Sequence, residues 1–196
     1  MADGFTDVPA GRIAAVVTWL EMRAPAARRP EVDEPRWELR REAQADLGWY
    51  RDLFRRVGEA WLWFSRLTMT DAQLAAILHD PRVEVYGLWH DGRAEGLLEL
   101  DFRDEGACEL VFFGLTPALF GTGAGRWMMN RAIARAWAKP IQRFWVHTCT
   151  LDHPGAVAFY LRSGFTAIHR QIEIAPDPRL EGLAPLDAAP HAPIIR

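Results

Sequence analysis

Cysteine is scarce: Cys108 and Cys149 are the two thiols among 196 residues. Two thiols cannot build a disulfide framework, and their spacing is not that of metal ligands. Each lies in an apolar run, so both are expected to be buried and reduced. An excess of positive charge is also missing. Lys and Arg number 23 against 26 Asp and Glu, a formal net charge of −3. That balance speaks against a nucleic-acid partner, because neutralising phosphates requires a basic face. No stretch approaches about 18 continuous apolar residues, so no membrane span is expected. The opening MADGFTDVPAGR shows no basic segment leading into an apolar one. No export signal is read there, and a soluble, cytoplasmic protein is the expectation.

What is present is a globular mixture, 49% hydrophobic and 25% charged. The length suits one domain over residues 1–196, with an irregular connection at 24–36 and a proline-rich tail at 175–196. Nine tryptophans stand out, several of them before residue 64. Such rings build cores by default and line clefts less often.

The chain opens with a β-branched and aromatic run, RIAAVVTWL (12–20), read as a strand. Ala43, Leu47, Tyr50, Phe54 and Val57 recur at helical spacing and Gly58 is a stop. Thr70 and Gln73 form a capping-box pattern ahead of Leu74, Ile77 and Leu78, with Pro81 closing the helix. Strands follow at 83–90 and 94–102, separated by the hairpin dipeptide Asp91-Gly92. A third strand at 108–115 comes after the turn Asp104-Glu105-Gly106, and the three form an antiparallel meander. Ala124, Met128, Ala132 and Ala136, widened by Met129 and Ile133, mark another helix. A strand at 143–150, a helix opened by Pro154 and capped by Gly164, and a strand at 165–174 complete an α+β or mixed α/β pattern.

Between the third meander strand and its helix lies LTPALFGTGAGR (115–126). Alternate glycines let backbone approach a ligand, and a helix N-terminus offers unpaired N–H groups with partial positive charge. Together they make a diphosphate cradle. A P-loop would need Lys and then Ser or Thr, where Arg126 and Trp127 stand. A dinucleotide fingerprint would need its third glycine one residue later than Gly125. The plain alternative is a glycine-rich turn that lets the helix pack close to the sheet.

This segment resembles the coenzyme A signature of the GNAT superfamily of N-acyltransferases: Arg or Gln, two residues, Gly, one residue, then Gly or Ala. Gly123 and Gly125 match, and Phe120 replaces the usual Arg or Gln. A second stretch, HPGAVAFYLRSGF (153–165), is similar to the family's N-x-x-A-x-x-x-Y-x-x-x-G-F through Ala156, Tyr160, Gly164 and Phe165, with His153 in place of Asn. The resemblance covers roughly residues 83–174. Before that, only the family's usual strand, helix, helix opening places the chain.

The resemblance implies a central mixed, mostly antiparallel sheet with a splayed parallel strand pair, flanked by about four helices. It implies acetyl-CoA as co-substrate, its pantetheine arm bonded to backbone near Phe113, Leu115 and Pro117. The Phe113 N–H would face the thioester oxygen as an oxyanion donor. Phe120, Gly121, Thr122, Gly123, Ala124, Gly125 and Arg126 would hold the diphosphate, with Arg126 compensating for Phe120, and His153 would contact cofactor or backbone. Tyr160 becomes the candidate general acid, with core packing as its alternative.

Glu109 is the candidate base, because CELVFFGL resembles the glutamate-bearing strand of histone-type members. By the period-2 rule Glu109, Val111, Phe113 and Leu115 share one face if no bulge intervenes. Glu99 and Asp101 on the middle strand are candidates to bind or deprotonate an amine, while their alternation with Leu98, Leu100 and Phe102 is equally the pattern of an exposed sheet face. His147 has a side chain whose ordinary pKa of about 6.5 suits proton transfer, yet a lone strand histidine is more often structural, and His153 and His169 suggest no metal site. The acceptor cleft would fall in residues 37–80, with Trp49, Trp61 and Trp63. Their aromatic character suits a small amine, an amino acid, an antibiotic or a peptide terminus, and suits a core equally. A homodimer using the 175–196 tail is a further expectation. Two other functions stay open: a catalytically inactive acyl-CoA-binding regulator, and a dinucleotide-binding oxidoreductase.

Overall fold

A computed structural model describes residues 3–34 and 36–196. Among the described residues, seven strands form one sheet: β1 (Arg12–Met22), β2 (Glu38–Arg41), β3 (Val83–His90), β4 (Arg93–Asp101), β5 (Ala107–Leu115), β6 (Arg143–Cys149) and β7 (Thr166–Pro176). The helices are α1 (Leu47–Gly58), α2 (Asp71–Leu78), α3 (Ala124–Ala136) and α4 (Ala156–Arg162). The sheet order is β2-β3-β4-β5-β6-β1-β7, antiparallel throughout except for the β5–β6 pair. This is the mixed, mostly antiparallel sheet with four helices that the resemblance implies.

Local chemistry explains most elements. The β3–β4 hairpin turns on Asp91 and Gly92, both with positive φ (48° and 80°), as a primed two-residue turn requires. At the start of α2, the Thr70 side chain accepts from the Gln73 N–H while the Gln73 side chain accepts from the Thr70 N–H. Two otherwise orphaned donors are satisfied there. Gly164 follows α4 at φ +100°, the left-handed cap expected of it.

Two apolar layers sandwich the sheet. On one face α3 lays Trp127, Met128, Ala132 and Ala136 against Leu88, Leu98, Leu100 and Phe144. On the other, Tyr50, Leu53 and Phe54 of α1 and Leu74 and Leu78 of α2 cover Val83, Val85 and Leu97. Fully burying each such side chain contributes about 1.5–3 kcal/mol. A third cluster joins Ile13, Ala15, Leu62 and Leu151 to Ala189, with Ala184, Ala188 and Ala192 of the tail packed against it. The tail is thus a draped extension.

β1 is inserted between β6 and β7, and the meander's outer neighbour is the four-residue β2. Three expectations are corrected. The helix drawn from Ala43 begins at Leu47, because the Asp46 side chain accepts from Trp49 N–H and starts it there. Glu99 and Asp101 are buried, not on an exposed face. Finally, β5 contains a bulge. Leu100 pairs with Leu110 while Glu99 pairs with Phe112, leaving Val111 extra. Cys108, Leu110, Phe113 and Leu115 therefore face α3, whereas Phe112 faces α1. The bulge changes the parity, so Glu109 does not share a face with Phe113 and Leu115.

Candidate active site

β5 and β6 are paired over three positions: Ala107 with Arg143, Cys108 with Phe144, and Glu109 with Trp145. Beyond that the strands part, β5 running on to Leu115 and β6 to Cys149. On its other side β5 stays zipped to β4, and the Thr116 N–H donates to the Glu95 carbonyl at 2.9 Å. Alternation along the strand turns the Phe112 and Gly114 amides the same way. The amides of Phe113 and Leu115 are left directed at the gap, without a ladder partner.

The gap opens into a cavity of about 680 Å³. One side of it includes Phe113, Leu115, Phe120, Gly121, Gly123 and Gly125, and Tyr160 faces it from α4. Gly121 and Gly123 have φ of +73° and +96°, and Gly123 is the N-cap of α3. A side chain at Gly125 would come within 3.7 Å of Leu115 and 3.8 Å of Phe159 and would occupy the wall. The Thr122 hydroxyl donates to the Leu119 carbonyl at 2.8 Å and accepts from Ala124 N–H at 3.3 Å, fixing the turn internally. Pro117 opens the short 3-10 turn Pro117–Leu119 that joins β5 to this segment.

Cations gather beside the turn. The Arg126 Nε is buried without a hydrogen-bond partner. The Arg29 guanidinium is held below its ordinary pKa by burial and by the charges of Arg126 and Arg162. Convergent guanidiniums of this kind suit a phosphate ligand. Sequence reasoning missed Arg29, which belongs to the connection regarded only as irregular. His153 is exposed and flanked by two rings: Trp61 lies 5.2 Å and Phe120 6.1 Å away, both T-shaped, and its Nδ1 accepts from Gly155 N–H at 2.9 Å.

The opposite side of the cavity holds Trp61, Trp63, Phe64, Arg66, Phe112, His147 and Asp152, with Glu173 of β7. Trp63 reaches this wall because Gly58 and Gly114 lack side chains: a Cβ on either would meet its ring, at 2.5 and 3.1 Å. Glu109 does not line the cavity, but His147 does, and its Nδ1 stands 3.5 Å from Glu109 Oε1. The Glu109 carboxylate raises the His147 pKa above its ordinary 6.5, outweighing burial. Trp19, with ring centroids 5.1 Å away, braces the imidazole. His147 is therefore a titratable group at the cavity, with Glu109 behind it.

Tyr160 is 7% exposed and wedged between Phe159 and Phe165. Burial, with a smaller contribution from Asp152, pushes its pKa far above 10, so the phenol keeps its proton at neutral pH. Burial also pushes the Cys149 thiol up to about 11 and the Cys108 thiol up as well. Neither is a thiolate at neutral pH, so neither is suited to carry an acyl group covalently.

Comparison with known proteins agrees with this geometry. The profile of the acetyltransferase (GNAT) family matches residues 43–165. An uncharacterized N-acetyltransferase of Mycobacterium tuberculosis is 31% identical over 102 residues, spanning 52% of this chain and 65% of that protein. The GCN5-related N-acetyltransferase from Sphaerobacter thermophilus shares the fold with a TM-score of 0.57 at 10% identity, over 83% of this chain and 52% of that one. An aminoglycoside acetyltransferase from an uncultured soil metagenome, solved with sisomicin, gives a TM-score of 0.56 at 16% identity, over 70% of this chain and 93% of its own. The chain belongs to the GNAT acetyltransferase family.

Proposed function

We propose that the chain transfers an acetyl group from acetyl-CoA to an amino nitrogen by direct attack of the amine on the thioester. One observation carries this reading: β5 and β6 part after Glu109 and Trp145 to open a cavity lined by both the glycine turn and Tyr160. The turn at residues 120–126 receives the diphosphate on backbone N–H groups and the helix end, with Arg126, Arg29 and Arg162 as counter-charge. His153 and the Phe120 ring line the passage of the pantetheine arm. The freed amides of Phe113 and Leu115 bond that arm, and Phe113 N–H donates to the thioester oxygen as negative charge develops.

An alkylammonium with a pKa of about 10.4 has no lone pair at neutral pH. His147, poised by Glu109, accepts its proton. The nitrogen then attacks the carbonyl carbon and the C–S bond breaks. Tyr160 hands its proton to the departing sulfur and regains one from the new amide nitrogen.

The test is calorimetric and kinetic. Acetyl-CoA at millimolar concentration raises the melting temperature, and amines cause release of free thiol. Tyr160→Phe keeps the thermal shift and lowers kcat by about 10²-fold. Absence of any shift with acetyl-CoA sinks the proposal.

A further inference from the structure

The half of the cavity away from the glycine turn has a composition that selects among amines. Its wall is aromatic: Trp63 packs on Phe54 and Phe112 with centroids 5.5 and 5.1 Å apart, and Trp61 and Phe64 extend it. Set in that wall is the Asp152 carboxylate. Its Oδ1 accepts from the Trp63 indole N–H at 2.9 Å, and its Oδ2 from the Thr148 hydroxyl at 2.6 Å and the Cys149 N–H at 2.9 Å. These three donors orient the carboxylate, and none of them is a cation. Glu173 adds a second carboxylate from β7. Arg66 is the guanidinium on this side, and it is committed elsewhere. Its NH2 donates to Glu99 Oε1 at 2.5 Å, and Tyr50 OH donates to Glu99 Oε2 at 2.5 Å. That ion pair is neutral overall, and the Arg66 Nε, which has no hydrogen-bond partner, is itself buried away from a ligand.

We propose that the acceptor is a primary amine carried on an aryl-alkyl body without a carboxylate, its ammonium drawn to Asp152 and Glu173 and its ring laid against Trp61, Trp63 and Phe64. This rests on the acyltransferase reading. A cation on an apolar body gains from both the carboxylates and the aromatic faces. An α-amino acid brings a carboxylate that would meet Asp152 and Glu173 on the side of the cavity away from Arg29, Arg126 and Arg162, and like charges brought together are penalised. A polycation such as an aminoglycoside would have to bury several hydrated polar groups against aromatic rings without partners. The reaction balances as ammonium plus thioester giving amide, free thiol and one proton. His147 takes the first proton from nitrogen, and the second ends on sulfur.

The experiment compares phenethylamine, phenylalanine, spermidine and an aminoglycoside as acceptors with acetyl-CoA, reading free thiol. Phenethylamine is expected to exceed phenylalanine in kcat/KM by at least about tenfold, since an unpaired like charge costs that much or more. Glu173→Gln, an exposed change, and Asp152→Asn are both expected to raise KM for phenethylamine and narrow its advantage over phenylalanine, leaving KM for acetyl-CoA unchanged. Phenylalanine turned over as well as phenethylamine, or spermidine or the aminoglycoside preferred, overturns the substrate class while the acyltransferase reading stands. Thiol release with no amine overturns both. Unchanged selectivity in both variants overturns the role of the two carboxylates.

Discussion

The ring of Phe120 stands edge-on to His153, centroids 6.1 Å apart and planes at 77°. These residues occupy the two positions where the chain departs from the motifs of its family, and the departures touch. An aromatic pair has replaced two polar side chains across the path into the cavity. Phe120→Gln and His153→Asn are therefore expected to be coupled, by about 0.5–1.5 kcal/mol in a double-mutant cycle on acetyl-CoA affinity. Strict additivity would show that the two rings act independently.

Gly125 separates binding from stability. It lies inside α3, its φ is not positive, and an added Cβ meets ordinary contacts of 3.7–4.0 Å. Gly125→Ala is expected to fold as well as the parent or better, by up to about 1 kcal/mol from helix entropy. The methyl projects into the wall beside Leu115 and Phe159, so acetyl-CoA binding falls by about tenfold. Thermal melting with and without acetyl-CoA reads both; a lost melting temperature with intact affinity contradicts the assignment.

His147 must be neutral to accept a proton, so activity is expected to rise through an apparent pKa above 6.5, the direction in which Glu109 moves it. Glu109→Gln removes the charge that favours imidazolium, so the acidic limb of the kcat/KM profile moves to lower pH. The same pairing adds stability below about pH 6.5 that fades as pH rises through the folded-state pKa. A profile unmoved by Glu109→Gln means that another group accepts the proton.

Glu99 anchors the buried trio with Arg66 and Tyr50. Glu99→Ala strands the guanidinium in a dry wall and is expected to cost about 3–5 kcal/mol in urea unfolding. Tyr50→Phe removes one hydrogen bond and costs about 1–2 kcal/mol. Reversal of that order would show that the ion pair contributes less than the phenol.

Much of this architecture was legible in the residues because the signals are local. Asp91-Gly92 dictates its hairpin, Thr70 and Gln73 their box, and the α3 stripe its buried face. The glycine turn and the Tyr160 helix were recognisable for the same reason. What escaped was long-range or subtle. Alternation in RIAAVVTWL reveals a strand but not its neighbours, so its insertion beside β6 left no trace. ELRR (38–41) has too few apolar residues to announce β2. The Val111 bulge follows from a mismatch with β4 that no window of β5 contains. The His147–Glu109 pair forms only once β6 lies beside β5, and the Asp152–Trp63 bond only once Trp63 comes within 2.9 Å.

Val17 pairs with Cys149 on one side and Gln171 on the other, which ties synthesis order to assembly. β1 must remain unzipped until the ribosome has delivered β6 and β7, more than a hundred residues later in the chain. During that wait an apolar, β-prone ribbon is open to mispairing, a hazard of distant strand partnerships. Once seated, it is the wedge on which the later-made β7 edge closes, so this half of the sheet is completed only after β7 is made.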